Sequence, residues 1–279
     1  WMMMGFLFLA SLLAVLPFFY IVYYVLQKGG AAINWELFTA LPKGPGEAGG
    51  GLANAILGSV VMVTLACAGG IPWGMFLGIC LSEYSYTRVA KTLRFVVDLF
   101  ISAPSIVIGI FVYILVVTNF GFSAYAGALS LLIILVPVIA RSTEEILKLV
   151  PHHIREAGLA LGFPRWKVIM KILIPGTLTM LFSGIILAVA RISGETAPLL
   201  FTSLANQFFS RSLSEPTASL PVQIYRFAES GFANLEAMAW GGALILMAFV
   251  FIINFFIRFG IFFMKNYYKN QIKGEEQHT

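Results

Sequence analysis

Arg191 and Glu195 stand four residues apart in an apolar stretch, 178–200, that carries no other charged group. On a continuous helix that spacing sets both side chains on one face, within reach of each other. At 1.5 Å per residue, Arg191 would lie roughly 20 Å from the start of the stretch, too deep to reach water easily. A charge among lipid is costly, so an intramembrane ionisable residue is a natural candidate for function. The guanidinium presents a planar fork of donors that suits a tetrahedral oxyanion. Glu195 would hold that fork until an anion replaced it. The same pair would serve equally well as a self-satisfied structural ion pair. Two further ionisable residues, Asp98 and Arg258, lie near the ends of apolar stretches, where burial costs less. They are expected to be structural, paired with each other, or with Asp98 turned to Arg94 one turn earlier.

A second constellation lies at 141–176, where basic residues sit between long apolar runs. Ser142 and Thr143 ahead of Glu144 and Glu145 read as a helix start, and Pro151 as a break. Residues 153–161 read as the helix continued. Gly162 suits a helix C-cap, because glycine takes the left-handed conformation without a Cβ penalty. Pro164 suits the first turn of the next helix, where its missing N–H costs nothing. Pro175 reads as a stop. A helix lying on lipid would show one long amphipathic stripe. This helix–turn–helix pattern instead fits docking on a soluble partner.

These elements belong to a chain that is 59% hydrophobic and only 11% charged. Soluble domains carry roughly 25% charged residues, so the chain is expected to be an integral membrane protein. The formal net charge of +5 does not point to nucleic acid, because the basic residues cluster at the ends of apolar runs. Cys67 and Cys80 fall in one apolar run and read as packing residues; His152 and His153 read as solvated. Neither set has the convergent ligands a metal needs. The run Gly44–Gly49 fits G-x-G-x-x-G in letters but lacks the strand and helix of a dinucleotide site. No phosphate-binding loop of the form G-x-x-x-x-G-K-[ST] occurs, which excludes ATP hydrolysis by that route.

A helix of about 20 apolar residues crosses the hydrocarbon layer. Six stretches qualify: 2–26, 53–81, 93–118, 123–140, 178–200 and 237–263. The third and fourth join through a tight turn at 119–121. Residues are expected upstream of Trp1, and the first stretch is too long for a signal-peptide core, so it reads as a retained anchor. Lys28, Lys43, Arg211 and Arg226 lie in one set of connections, and twelve Lys and Arg residues from Arg88 to Lys273 lie in the other. The richer set is expected in the cytoplasm. That places both termini and 141–176 inside, and 27–52 and 201–236 outside. Gly70, Gly74 and Gly78 are spaced for close helix packing. Pro72, Pro104 and Pro137 are expected to kink their spans.

The segment 156–175, EAGLALGFPRWKVIMKILIP, resembles the EAA loop of ABC import permeases. Glu156, Ala157, Gly162, Ile172 and Pro175 match it, while Gly158 and Ile174 depart from it. The run 191–202, RISGETAPLLFT, is more specific: it resembles the permeases of phosphate-specific ABC importers, the PstA family. So do 219–225 (SLPVQIY), 81–84 (LSEY) and 33–39 (INWELFT).

The resemblance implies an all-α integral membrane fold, a six-span permease of the MetI-like type, with one permease domain over 1–279. Its implied partners are a PstC-type permease, a PstB-type ATPase dimer and a PstS-type periplasmic phosphate-binding protein, besides membrane lipid. The chain itself would carry no cofactor, and the ATPase would bind ATP and Mg. Coupling to the ATPase would fall on Glu156, Ala157, Gly158 and Gly162. Permeation of molybdate, sulfate or phosphonate, a stand-alone secondary transporter, and a membrane scaffold are the competing readings.

Overall fold

The computed structural model describes residues 2–47 and 49–276, with side chains for 3–47, 49–255 and 259. Helix α1 (Met2–Ala32) is followed by a short α2 (Trp35–Thr39), whose N-terminus is capped by the Asn34 side chain accepting from Leu37 N–H at 2.7 Å. Next come α3 (Ala53–Glu83), α4 (Arg88–Ser102), α5 (Ser105–Phe120), α6 (Ala124–Lys148) and α7 (His152–Ala160). Then follow α8 (Arg165–Ser193), α9 (Ala197–Thr202), α10 (Leu220–Ala228) and α11 (Ala233–Glu276). Thr87 caps α4 and Ser123 caps α6, each hydroxyl accepting a backbone N–H three residues on. These are the residue types that satisfy the free amides of a first turn.

The core is built on α3 and α6. A Cβ on Gly70 would fall 2.7 Å from Leu135, on Gly74 2.8 Å from Ile139, and on Gly78 2.5 Å from the Ala140 carbonyl. The glycine stripe therefore serves packing inside the bundle. Leu131, Leu135 and Ile139 of α6 are buried against Met62 and Ala66 of α3, and Ile192, Leu199 and Val222 close the cluster. By contrast, the apolar stretch of α1 buries none of its residues within the chain. It leans on α11, where Gly29 abuts the Trp240 carbonyl and Tyr24 meets the Trp240 ring.

Among the described residues five helices, α1, α3, α6, α8 and α11, are long and apolar enough to cross a membrane, and the expected span 93–118 is instead a bent pair. Helices α4 and α5 meet at 102°, and the count is six if they form one broken span. Proline explains the break only in part, since Pro72 and Pro137 sit inside unbroken helices. Before Pro104, Ala103 takes the extended conformation that a following proline favours, with ψ 136°. At Pro72 and Pro137, the close α3–α6 packing holds the helix on course.

Two other expected boundaries are absent. No helix starts at Ser142: α6 runs unbroken to Lys148, sustained by the Arg141–Glu145 and Glu144–Lys148 pairs at helical spacing. Pro175 does not stop a helix either. It follows a π-helical turn, Ile169–Leu173, within the continuous α8. A widened turn absorbs the missing N–H and the ring clash that would otherwise break the helix.

At the far end from α7, the segment 203–219 lies over the starts of α3 and α6. Asn54 Nδ2 donates to the Asn206 carbonyl at 2.6 Å, and Leu220 N–H to Ser59 Oγ at 2.7 Å. Ser123 N–H donates to the Thr202 carbonyl and Tyr125 N–H to that of Leu213, each at 3.2 Å. The long connection 201–236 is thus folded down, with α10 inside it.

Candidate functional site

The structure ends α8 at Ser193, so Arg191 and Glu195 do not share a continuous helix face. Gly194 closes the helix, its N–H donating to the Arg191 carbonyl at 3.2 Å. Pro198 then sets the first turn of α9. The cause is local: glycine is a poor helix former, and Pro198 cannot donate to a carbonyl four residues back. Arg191 consequently occupies the last turn of α8, where the helix dipole favours a cation.

The two side chains still face each other. Arg191 Nε lies 3.8 Å from Glu195 Oε1, with Arg191 49% and Glu195 16% exposed. That separation is beyond hydrogen-bond distance. Glu195 neutralises the guanidinium without consuming its donors. The backbone at Gly194 and Thr196 also borders a cavity of about 840 Å³ between α1, α10 and α11. Its other walls are mostly apolar, with Asn254 as one amide. Among the described residues that line it there is no charged side chain.

The loop expected to face the cytosol is built from α7, the turn 161–164 and the start of α8. Gly162 has φ +83°, and the turn closes as a double bond pair: Phe163 N–H donates to the Gly158 carbonyl at 3.3 Å and Gly162 N–H to that of Leu159 at 2.9 Å. This is the Schellman arrangement, which satisfies the last carbonyls of a helix. Gly158 is buried, and a Cβ there would lie 3.0 Å from Val168 and 3.2 Å from Ile172. Glycine at this position lets α7 lie close on α8. Glu156 and Ala157 are exposed, as are Leu159, Leu161, Phe163 and Trp166.

Arg155, one residue before Glu156, faces inward. It bonds the Leu147 carbonyl at 2.7 Å and lies 3.3 Å from Glu83 Oε1, tying α7 to α6 and α3. Nothing in its local sequence sets Arg155 apart from its basic neighbours.

Asp98 pairs with Arg141 at 3.8 Å rather than with Arg94. The Arg258 side chain lies outside the described residues. Arg94 is taken by Glu144, whose fully buried carboxylate was read from sequence as part of a helix start. Arg94 reaches it at 2.6 Å, Arg141 at 3.6 Å, and Lys148 also bonds it. A signal was present: Arg141, Glu144, Glu145 and Lys148 alternate in sign at three- and four-residue spacing, a pattern proper to a helix interior. Among the described residues no cluster of His, Cys, Asp and Glu could hold a metal ion.

The bundle of long apolar helices, the bent helix pair and the glycine-closed turn between α7 and α8 are the setting in which the family match falls. The chain belongs to the family described as binding-protein-dependent transport system inner membrane component, matched over residues 70–260. It is a multi-pass protein of the inner membrane.

Among its relatives is the phosphate transport system permease protein PstA of Pasteurella multocida, 44% identical over 92% of this chain and 91% of that protein. PstA of Xylella fastidiosa is 46% identical over 82% of this chain and 81% of its own length. PstA of Mycobacterium leprae is 35% identical over 90% and 84%. The fold is shared with solved ABC transporters. A chain of the inward-facing MetNI methionine transporter superposes with TM-score 0.64 at 19% identity, covering 75% of this chain and 94% of its own. A chain of a bacterial transporter that imports alginate does so with TM-score 0.65 at 16% identity, covering 90% and 93%. The expected all-α, MetI-like permease fold is the observed one.

Proposed function

We infer that this chain is the membrane permease subunit of an ATP-driven importer of inorganic phosphate. The observation that carries the reading is near-full-length identity of 43–46% to several phosphate transport permeases. The permease is non-catalytic. A separate ATPase dimer, binding ATP and Mg, docks on the loop 141–176 through α7. Glu156 and Ala157 are exposed for that contact, and Leu161, Phe163 and Trp166 form an apolar tip beside them. Exposed apolar clusters of this kind mark protein contacts. Gly162 fixes the turn and Gly158 its packing. A second, PstC-type permease completes the path, and a PstS-type periplasmic protein delivers phosphate to the face covered by 203–219. Both termini lie in the cytoplasm, and the whole chain is one permease domain.

Arg191 is the charge partner for the anion and Glu195 its placeholder. Phosphate displaces Glu195 from the guanidinium fork and is released as the bundle turns to the cytosol. A half-exposed arginine with its donors uncommitted supports this role over a closed ion pair.

The test is ATP-dependent uptake of labelled phosphate by the four-component complex in liposomes, with sulfate and molybdate as competitors. Phosphate uptake that excess sulfate or molybdate leaves intact supports the reading. Uptake abolished by either competitor reassigns the substrate.

A further inference from the structure

The structure supplies two separate arms between the cytosolic loop and the Arg191–Glu195 pair. We propose that these arms position the two members of the pair by different routes, so that displacement of the loop sets the distance between guanidinium and carboxylate. The proposal rests on the permease reading above.

The first arm is α8 itself. It starts at Arg165, directly after the Gly162 turn, and ends with Arg191 in its last turn. The π-helical turn Ile169–Leu173 lies between the two. Such turns are places where a helix can change register.

The second arm is indirect. Helix α6 enters the loop at Lys148, and its buried Glu144 is ion-paired to Arg94 of α4 at 2.6 Å. Arg94 also donates to the Leu81 carbonyl at 3.2 Å, so it clamps α4 to both α3 and α6. Asp98 repeats the α4–α6 link one turn on, through Arg141. Past the 102° bend, α5 lies against α9. A Cβ on Gly109 would fall 2.6 Å from the Pro198 Cα, so the two backbones touch. Pro198 is the second residue of α9, and Glu195 lies in the turn just before that helix. The position of α5 therefore sets where that turn, and Glu195 with it, can lie.

The pair thus closes or parts as α8 and the α6–α4–α5–α9 arm move relative to each other. Arg94, Glu144, Gly109 and Pro198 are positioning residues: none of them touches the anion.

The test uses the full complex and three variants: Gly109→Ala, Arg94→Ala and the conservative Arg94→Lys. ATP hydrolysed per phosphate imported is one readout. The second is labelling of Thr196→Cys, in a Cys67→Ser, Cys80→Ser background, by an impermeant maleimide with and without trapped nucleotide. In the unaltered arms, trapped nucleotide changes labelling at 196. Gly109→Ala and Arg94→Ala leave the complex assembled, raise hydrolysis per phosphate about tenfold and abolish the labelling change. Arg94→Lys, which keeps a cation and a donor beside Glu144, retains the parent's behaviour in both readouts.

Ratios within about twofold of the parent in Gly109→Ala overturn the proposal, being below the coupling expected along such a link. So does labelling at 196 that ignores nucleotide in the parent. If Arg94→Ala fails to assemble, Gly109→Ala decides. Failure of the functional reading is separate: without phosphate uptake by the parent complex, nucleotide-dependent labelling at 196 still reads the linkage.

Discussion

Glu144 and Glu195 are both carboxylates held near an arginine inside the same bundle, and they are held in opposite ways. Glu144 has no exposed surface and is met by Arg94, Arg141 and Lys148 from two helices. Glu195 is met by Arg191 at 3.8 Å, and that arginine is half exposed. Removing one partner of a buried, saturated cluster leaves an uncompensated charge, whereas loosening an open pair leaves water to take its place. The first arrangement resists exchange of partners and the second invites it. Charge in a membrane protein is thus not one signal: its saturation separates a fastening from a binding group.

Substitutions at the two carboxylates sharpen the contrast. Glu144→Ala should destabilise the chain most, by about 3–5 kcal/mol, because Arg94 and its neighbours lose their buried counter-charge. Thermal unfolding of the purified complex in detergent measures this. A melting point unchanged from the parent would break the comparison. Arg191→Ala should leave the melting point alone while phosphate uptake falls on the order of a hundredfold, the loss of the anion's charge partner. Normal uptake by the assembled variant rejects Arg191 as the anion's partner. Lys148→Ala should cost only about 1 kcal/mol, since Lys148 is 46% exposed and Arg94 remains on Glu144. Glu195→Gln should change stability by less than about 0.5 kcal/mol, as for an exposed pair. A drop as large as that of Glu144→Ala would make the Arg191–Glu195 pair structural.

Most spans were legible because a run of twenty apolar residues has few alternatives in water, and the helix–turn–helix at 152–193 because Gly162 and Pro164 punctuate it. Direction was not legible. Hydropathy over 93–118 records that the residues are apolar, not that Ala103 and Pro104 turn the chain by 102°. The letters of Pro72, Pro104, Pro137 and Pro175 are alike, and neighbours decide which one breaks a helix. Arg191 and Glu195 were found from their spacing, although Gly194 ends the helix between them. Glu144 was passed over because its partner Arg94 is fifty residues away in sequence and its burial arises only when α4 folds back on α6.

One feature of α1 bears on how the protein is made. Its apolar stretch buries nothing, and its main neighbour is α11, about two hundred residues later in the chain. Until α11 has been made, α1 therefore lacks its main neighbour within the chain. An all-round greasy surface, without a polar seam awaiting a companion, is what makes that solitary interval tolerable.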